Sequence, residues 1–194
     1  MTQVGTGVTT YSYDSAGRLS NTTDPFGDNT NYAYDSAGRL SKRSLANGTY
    51  EAFLYDAQSR VTEIRTMKVV LPEGPDTLIK SRAYTFDLAS QVTSVVEGGI
   101  TTNYAYDLAG QLTSEVKSSG YSASYSYDAN GNRLSRTVNG VTENYSYDAG
   151  DKLLSVTGGV DPRNFVYDAA GRTTSIQRAS GNTNFTYDYE SRVT

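Results

Sequence analysis

The sequence predicts an all-β protein, a run of antiparallel β-hairpins laid side by side and curved into a spiral or tube wall. Three observations predict it. The stretch Tyr11-Ser12-Tyr13-Asp14-Ser15-Ala16-Gly17-Arg18-Leu19 returns almost letter for letter as Tyr32-Ala33-Tyr34-Asp35-Ser36-Ala37-Gly38-Arg39-Leu40, and weaker copies run to the last residue. Two aromatic residues, two positions apart, precede an aspartate in every copy. A turn signature, Asp-x-x-Gly, follows them. The aspartates stand at 14, 35, 56, 87, 107, 128, 148, 168 and 188, with steps of 21, 21, 31, 20, 21, 20, 20 and 20. A fixed period of about 20 to 50 residues marks a repeat architecture.

The strands come from the rings. Tyr11/Tyr13, Tyr32/Tyr34, Phe53/Tyr55, Tyr84/Phe86, Tyr104/Tyr106, Tyr125/Tyr127, Tyr145/Tyr147, Phe165/Tyr167 and Phe185/Tyr187 all sit at spacing two. On a strand each pair shares one face, so the period is that of β-structure and not of a helix. The turns come next. Asp14, Asp35, Asp56, Asp87, Asp107, Asp128, Asp148, Asp168 and Asp188 suit the first position of a type I turn. Gly17, Gly38, Gly110, Gly131 and Gly171 suit the last, where φ is positive. Ser59, Ser90, Asp151 and Ser191 replace that glycine, so those tips are expected to carry strain or to use a different turn. A turn closed this way is a common three-residue hairpin loop. It sets Asp14 opposite Arg18 and Tyr13 opposite Leu19. The arginine recurs as Arg39, Arg60, Arg172 and Arg192 and softens to Gln91, Gln111 and Lys152. The sixth copy, Asp128 to Leu134, reads as carrying one extra loop residue.

A second turn ends each return strand, at Asp24-Pro25-Phe26-Gly27, Asn47-Gly48, Gly98-Gly99, Ser119-Gly120, Asn139-Gly140, Gly158-Gly159 and Ser180-Gly181. The chain therefore reads as one array of nine units over residues 1–194. An extended hairpin near 67–80 accounts for the long step, as a rim extension or as a docking finger. Both ends read as half-repeats. Joining Thr194 to the Met1 of another copy gives a step of 194 − 188 + 14 = 20, one repeat. End-to-end self-association, or continuation of a longer repeat chain, is expected on that ground.

Composition narrows the partners. A net charge of −4 and a pI near 4.8 argue against nucleic acid. With no Cys and no His, disulfides, thiolate metal sites and the commonest catalytic bases are absent. No apolar run reaches the roughly 18 residues of a membrane helix. The N-terminal residues lack a signal-peptide pattern, so any export address is expected elsewhere.

The unit Y-x-Y-D-x-x-G-R-L, repeated over residues 11–194, resembles the YD repeat of the RHS family. That family takes in bacterial RHS polymorphic toxins, wall-associated repeat proteins, toxin-complex cocoon proteins and the teneurin YD shell. The resemblance implies a long β-sheet spiralling into a shell or barrel. It implies a structural, non-enzymatic role outside the cell or at its surface, as a segment of a shell, tube or fibre. Two alternatives are part of a hollow cocoon enclosing a C-terminal toxin, and a carbohydrate-binding or adhesion surface in which exposed tyrosines stack on sugars. The possible partners are thus an encapsulated polypeptide or a glycan. No toxin domain and no autoproteolysis site is recognisable, and Asp24-Pro25 reads as a turn.

No catalytic, cofactor-binding or metal residue is expected. Asp128-Ala129-Asn130-Gly131-Asn132 resembles a calcium loop but lacks its closing glutamate, and reads as a hairpin tip. Four sequons, at Asn21, Asn47, Asn144 and Asn184, permit glycosylation in a suitable host.

Overall fold

A computed structural model describes residues 7–70 and 74–194. Seventeen strands and no helix occur among them. The fold is all-β and built of antiparallel hairpins. Two compact units divide the chain, Met1–Thr101 and Thr102–Thr194.

The first unit holds β1 (Thr10–Tyr13), β2 (Leu19–Thr23), β3 (Asn29–Tyr34), β4 (Leu40–Ser44), β5 (Thr49–Tyr55), β6 (Val61–Lys68), β7 (Thr77–Phe86) and β8 (Val92–Glu97). Each pairs antiparallel with the next. The second unit takes β9 (Ile100–Tyr106) from Thr102 onward. It continues with β10 (Leu112–Lys117), β11 (Ser122–Tyr127), β12 (Arg133–Val138), β13 (Val141–Tyr147), β14 (Leu153–Gly158), β15 (Arg163–Tyr167), β16 (Thr173–Arg178) and β17 (Thr183–Asn184). These too pair in chain order. A final bridge joins Tyr187 to Val193. Each hairpin thus has an Asp-turn end and an opposite end, here called the Asp rim and the far rim.

One regular feature is invisible in the repeat letters. Tyr13 pairs with Leu19, but Ser12 pairs with Asn21, so Ser20 is an extra residue on the return strand. The same one-residue bulge follows the Asp turn in the other hairpins, at Ser41, Thr62, Thr93, Thr113, Leu134, Leu154 and Thr174. A bulge disrupts the ladder and increases the local twist. No residue type is demanded there, which is why Ser, Thr and Leu all occupy it.

The register sorts side chains onto two faces. In the second unit Tyr145 pairs with Val156, Arg136 with Glu143, Phe165 with Ile176 and Arg163 with Arg178. That face carries the rings and the charges. The opposite face is hydroxyl and amide: Ser126 meets Ser135 at 2.6 Å, Ser146 meets Ser155 at 2.6 Å, and Thr137 meets Thr142 at 2.9 Å. Burial is shallow. Only Ala123, Tyr145, Val156 and Thr102 fall below a tenth exposure among the described residues. A single sheet covers each ring from the sides alone, so most rings stay half-buried.

The extended hairpin is β6 and β7. Its stem reaches past the neighbouring turns, and the part of the sequence-predicted tip at 71–73 lies outside the described residues.

Candidate functional site: the joint between successive hairpins

The Asp turn is built by one carboxylate. Gly17 N–H donates to the Asp14 carbonyl at 3.0 Å, and Asp14 N–H donates to the Arg18 carbonyl at 2.8 Å. Asp14 Oδ1 accepts the backbone N–H groups of Ala16 and Arg18, both at 2.9 Å, while Oδ2 takes Arg18 Nε at 2.8 Å. Asp35, Asp56, Asp168 and Asp188 repeat the arrangement, with Arg39, Arg60, Arg172 and Arg192 each at 2.7 Å. Asp107 keeps both backbone bonds without a cation, and Asp87 keeps that to Gln91 N–H. Backbone N–H donation from the following arginine holds Asp14, Asp35, Asp168 and Asp188 below the ordinary carboxylate value.

The non-glycine tips use the same turn. Ser59, Ser90, Asp151 and Ser191 have φ of 64°, 65°, 61° and 63° and donate to Asp56, Asp87, Asp148 and Asp188 as the glycines do. The expectation of one extra residue in the sixth copy is corrected. Asp128 N–H bonds the Asn132 carbonyl and Tyr127 pairs with Arg133, so the loop has its usual length. Asn132 stands in the arginine place and Arg133 in the leucine place. The sequence alignment of Arg133 with the other arginines misled, because turn length and not residue identity fixes the register.

Four of these five arginines also reach forward. The Arg18, Arg39 and Arg172 guanidiniums lie 4.5, 4.5 and 4.8 Å from the ring centres of Tyr34, Tyr55 and Tyr187, and Arg60 lies 4.7 Å from Phe86. A cation over a ring within about 6 Å is attracted by its quadrupole. Arg39 and Arg60 also donate to the carbonyls of the next turns, Asp56 at 3.1 Å and Asp87 at 2.9 Å.

The ring reaches backward. Tyr34 hydroxyl donates to the Leu19 carbonyl at 2.8 Å, beside the bulge of the preceding hairpin. Tyr55 does the same to Leu40, Tyr127 to Leu112, Tyr147 to Arg133, Tyr167 to Leu153 and Tyr187 to Thr173, all between 2.7 and 3.0 Å. The hydroxyl satisfies a backbone acceptor next to the ladder's break. This explains a signal that was present but unread. The second ring of each pair is Tyr everywhere except Phe86, whereas the first ring is Phe in three copies.

The four strained tips have partners in the preceding hairpin. Arg39 Nη1 donates to Ser59 Oγ at 3.1 Å, Arg60 to Ser90 at 3.2 Å and Arg172 to Ser191 at 3.3 Å. Asn132 and Asn130 donate to Asp151 Oδ1 at 2.6 and 3.1 Å. The calcium-like stretch is thus an amide-to-carboxylate joint. Among the described residues no group of three or more acidic side chains is placed to hold a metal.

These joints define a YD-repeat protein. The RHS repeat family model matches residues 1–30, 13–50 and 34–75, and the teneurin YD-shell family model matches residues 76–194. The chain belongs to the RHS and YD-shell family. No curated protein matches it in sequence. Among solved structures, the TcdB2-TccC3-Cdc42 crystal structure is similar with a TM-score of 0.63 and 16% identity, over 98% of this chain and 13% of that one. TcdB2-TccC3 without its hypervariable C-terminal region is similar with a TM-score of 0.62 and 16% identity, over 97% of this chain and 13% of that one. This likeness is one of fold. The chain spans about an eighth of the length of the solved chains it matches.

Proposed function

We propose that this chain is a non-enzymatic wall segment of an extracellular YD-repeat shell, in which Asp, Arg and Tyr of neighbouring hairpins lock the wall. The observation that carries this reading is the joint itself: the same guanidinium-over-ring and hydroxyl-to-carbonyl contacts recur between hairpins. The wall is one array of nine repeats within a longer chain, and a hollow built from it encloses a polypeptide.

The first rings, Tyr11 and Tyr13, are 59% and 63% exposed, and among the described residues no guanidinium lies over them as Arg18 and Arg39 lie over Tyr34 and Tyr55. They suit a further hairpin of this kind, supplied by the same longer chain or, end to end, by a second copy. Mass measurement under native conditions tests the second source, and a monomer at high concentration rejects it. Stacking on sugars is the weaker reading, since rings such as Tyr34, Tyr55, Tyr145 and Tyr187 already have a cation over one face.

The test of the wall reading is hydrogen exchange. Stability in a repeat array is a sum of intrinsic and nearest-neighbour terms. Arg39→Ala should therefore lower protection in β3 to β6 and leave β11 to β16 unchanged. Uniform loss along the chain, or no loss, rejects the joint as the locking element.

A further inference from the structure

The extended hairpin leaves part of one strand uncovered. On the β5 side it is supported: Thr49 pairs with Lys68, Val69 N–H donates to the Gly48 carbonyl at 2.9 Å, and Lys68 Nζ donates to the Asn47 carbonyl at 2.7 Å. Tyr50 hydroxyl binds Asp76 Oδ2 at 2.7 Å. On the other side β8 is too short. Its pairing with β7 ends at Arg82 opposite Glu97, and the chain then turns at Gly98-Gly99. Among the described residues, Thr77, Leu78 and Lys80 consequently pair on the β6 edge only, with Ile79 bulged between them, and all four are exposed.

We infer that this free edge of Thr77–Lys80 is a β-addition site for an extended polypeptide strand from a partner protein. The inference goes beyond the wall reading and needs only the edge. A strand edge offers a row of unpaired N–H and C=O groups, and another extended strand is the ligand that satisfies such a row. The bracing on the β5 side holds the edge in place, so little ordering is left to oppose binding. Leu78 and Ile79, 52% and 57% exposed, supply apolar contact.

Charge selects the partner. Glu97 is shared by Lys80 at 2.7 Å and Arg82 at 2.6 Å, so two cations face one carboxylate. A cavity of about 170 Å³, lined by Glu51, Ile64, Thr66, Lys80 and Arg82, opens beside Lys80. The added strand therefore carries an acidic residue next to Lys80, flanked by apolar ones.

The test uses the whole chain and a labelled peptide copying Val61–Lys68, the strand that β7 already accepts on its inner edge and one that carries Glu63 and Ile64. Fluorescence anisotropy should show saturable binding, and hydrogen exchange should slow at Thr77–Lys80. Prolines in sheets are tolerated at edges and bulges, so Ile79→Pro, at the bulge residue with no partner opposite it on β6, is the proline substitution to use at this edge. Ile79→Pro should weaken the peptide at least tenfold, and so should Lys80→Glu, which keeps the backbone intact. No binding at the highest soluble peptide concentration overturns the inference. So does equal binding to Lys80→Glu, or slowed exchange elsewhere. A dimer of the chain that Lys80→Glu or Ile79→Pro dissociates also overturns it, since the occupant is then a second copy.

Discussion

The two ends of each hairpin close the same kind of chain reversal with different parts. At the Asp rim an aspartate opens the turn in all nine copies, and in four of them the arginine that follows reaches the ring of the next hairpin. At the far rim Asn-Gly, Gly-Gly, Ser-Gly and Asp-Pro-Phe-Gly alternate, and the long β6–β7 extension is placed there. The Asp24 turn is the informative case. Its Oδ1 accepts Phe26 and Asp28 N–H at 2.8 and 3.0 Å, the same turn as at the Asp rim, but Asp28 stands where the arginine would be. Turn chemistry alone is therefore common to both rims. What distinguishes the Asp rim is the recurring cation that joins one turn to the next. The far rim has ties of this sort at separate places, from Lys68 to the Asn47 carbonyl and from Arg178 to Asp161, without a repeated residue pattern, and its turns vary in length.

The comparison can be broken first at the far rim's least tolerant point. Gly158 has φ of 71°, and a Cβ there would lie 2.5 Å from the Thr142 carbonyl oxygen. A left-handed residue with a Cβ costs roughly 1–2 kcal/mol before any clash. Gly158→Ala should accordingly give the largest loss in a denaturant titration of the second unit, and a near-neutral result would show that the far rim yields everywhere. Next comes the matched pair of turns. Asp35→Ala should lower the melting temperature clearly more than Asp24→Ala, because only the first also releases an arginine from its neighbour. Equal shifts would reduce the Asp rim to turn chemistry.

Smaller effects sharpen the picture. Tyr55→Phe removes the hydroxyl bond to Leu40 and should cost about 1 kcal/mol, the usual net worth of such a bond. At Phe86, which already lacks the hydroxyl, Phe86→Tyr has a carbonyl of the preceding bulge to meet, and unfolding curves should show a gain rather than a loss. Ser59→Gly relieves left-handed strain worth ~1–2 kcal/mol but loses the bond from Arg39, worth ~0.5–1.5 kcal/mol. The net change should fall within about 1 kcal/mol of zero, and should become a clear gain in an Arg39→Ala background.

Acid gives the last and mildest test at ordinary pH. Asp14, Asp35, Asp168 and Asp188 are held below 3.8, their ordinary value. A depressed folded-state value means stability that is complete above the unfolded value and is lost as pH falls through the folded one. Melting temperature should stay level from neutral pH to about 4 and fall below it. A drop already at pH 6 would show that other groups control the rim.

Much of this was legible in the letters. The hairpins, the positive φ at the turn glycine and the Tyr13–Leu19 pairing follow from Asp-x-x-Gly and spacing two, because turn and strand geometry are set within a few residues. The bulge was not legible. It tolerates any side chain, so Ser20 and Leu134 look like ordinary strand residues. Leu134 is 42% exposed for that reason, although its apolar character suggested the packed face. The place of Arg133 was misread, since it sits one position late and only the backbone register shows that Asn132 is the true counterpart.

The sequence by itself determined the period, the strand direction and the turn type, all of which depend on neighbours along the chain. The tertiary structure decided what each arginine, tyrosine and tip serine touches in the adjacent hairpin. Those contacts join residues 14 to 30 positions apart, and their geometry depends on how one twisted, bulged hairpin lies against the next. It also decided that β8 stops short of β7. An uncovered edge is a difference in the reach of two strands, and neither strand's letters record where the other ends.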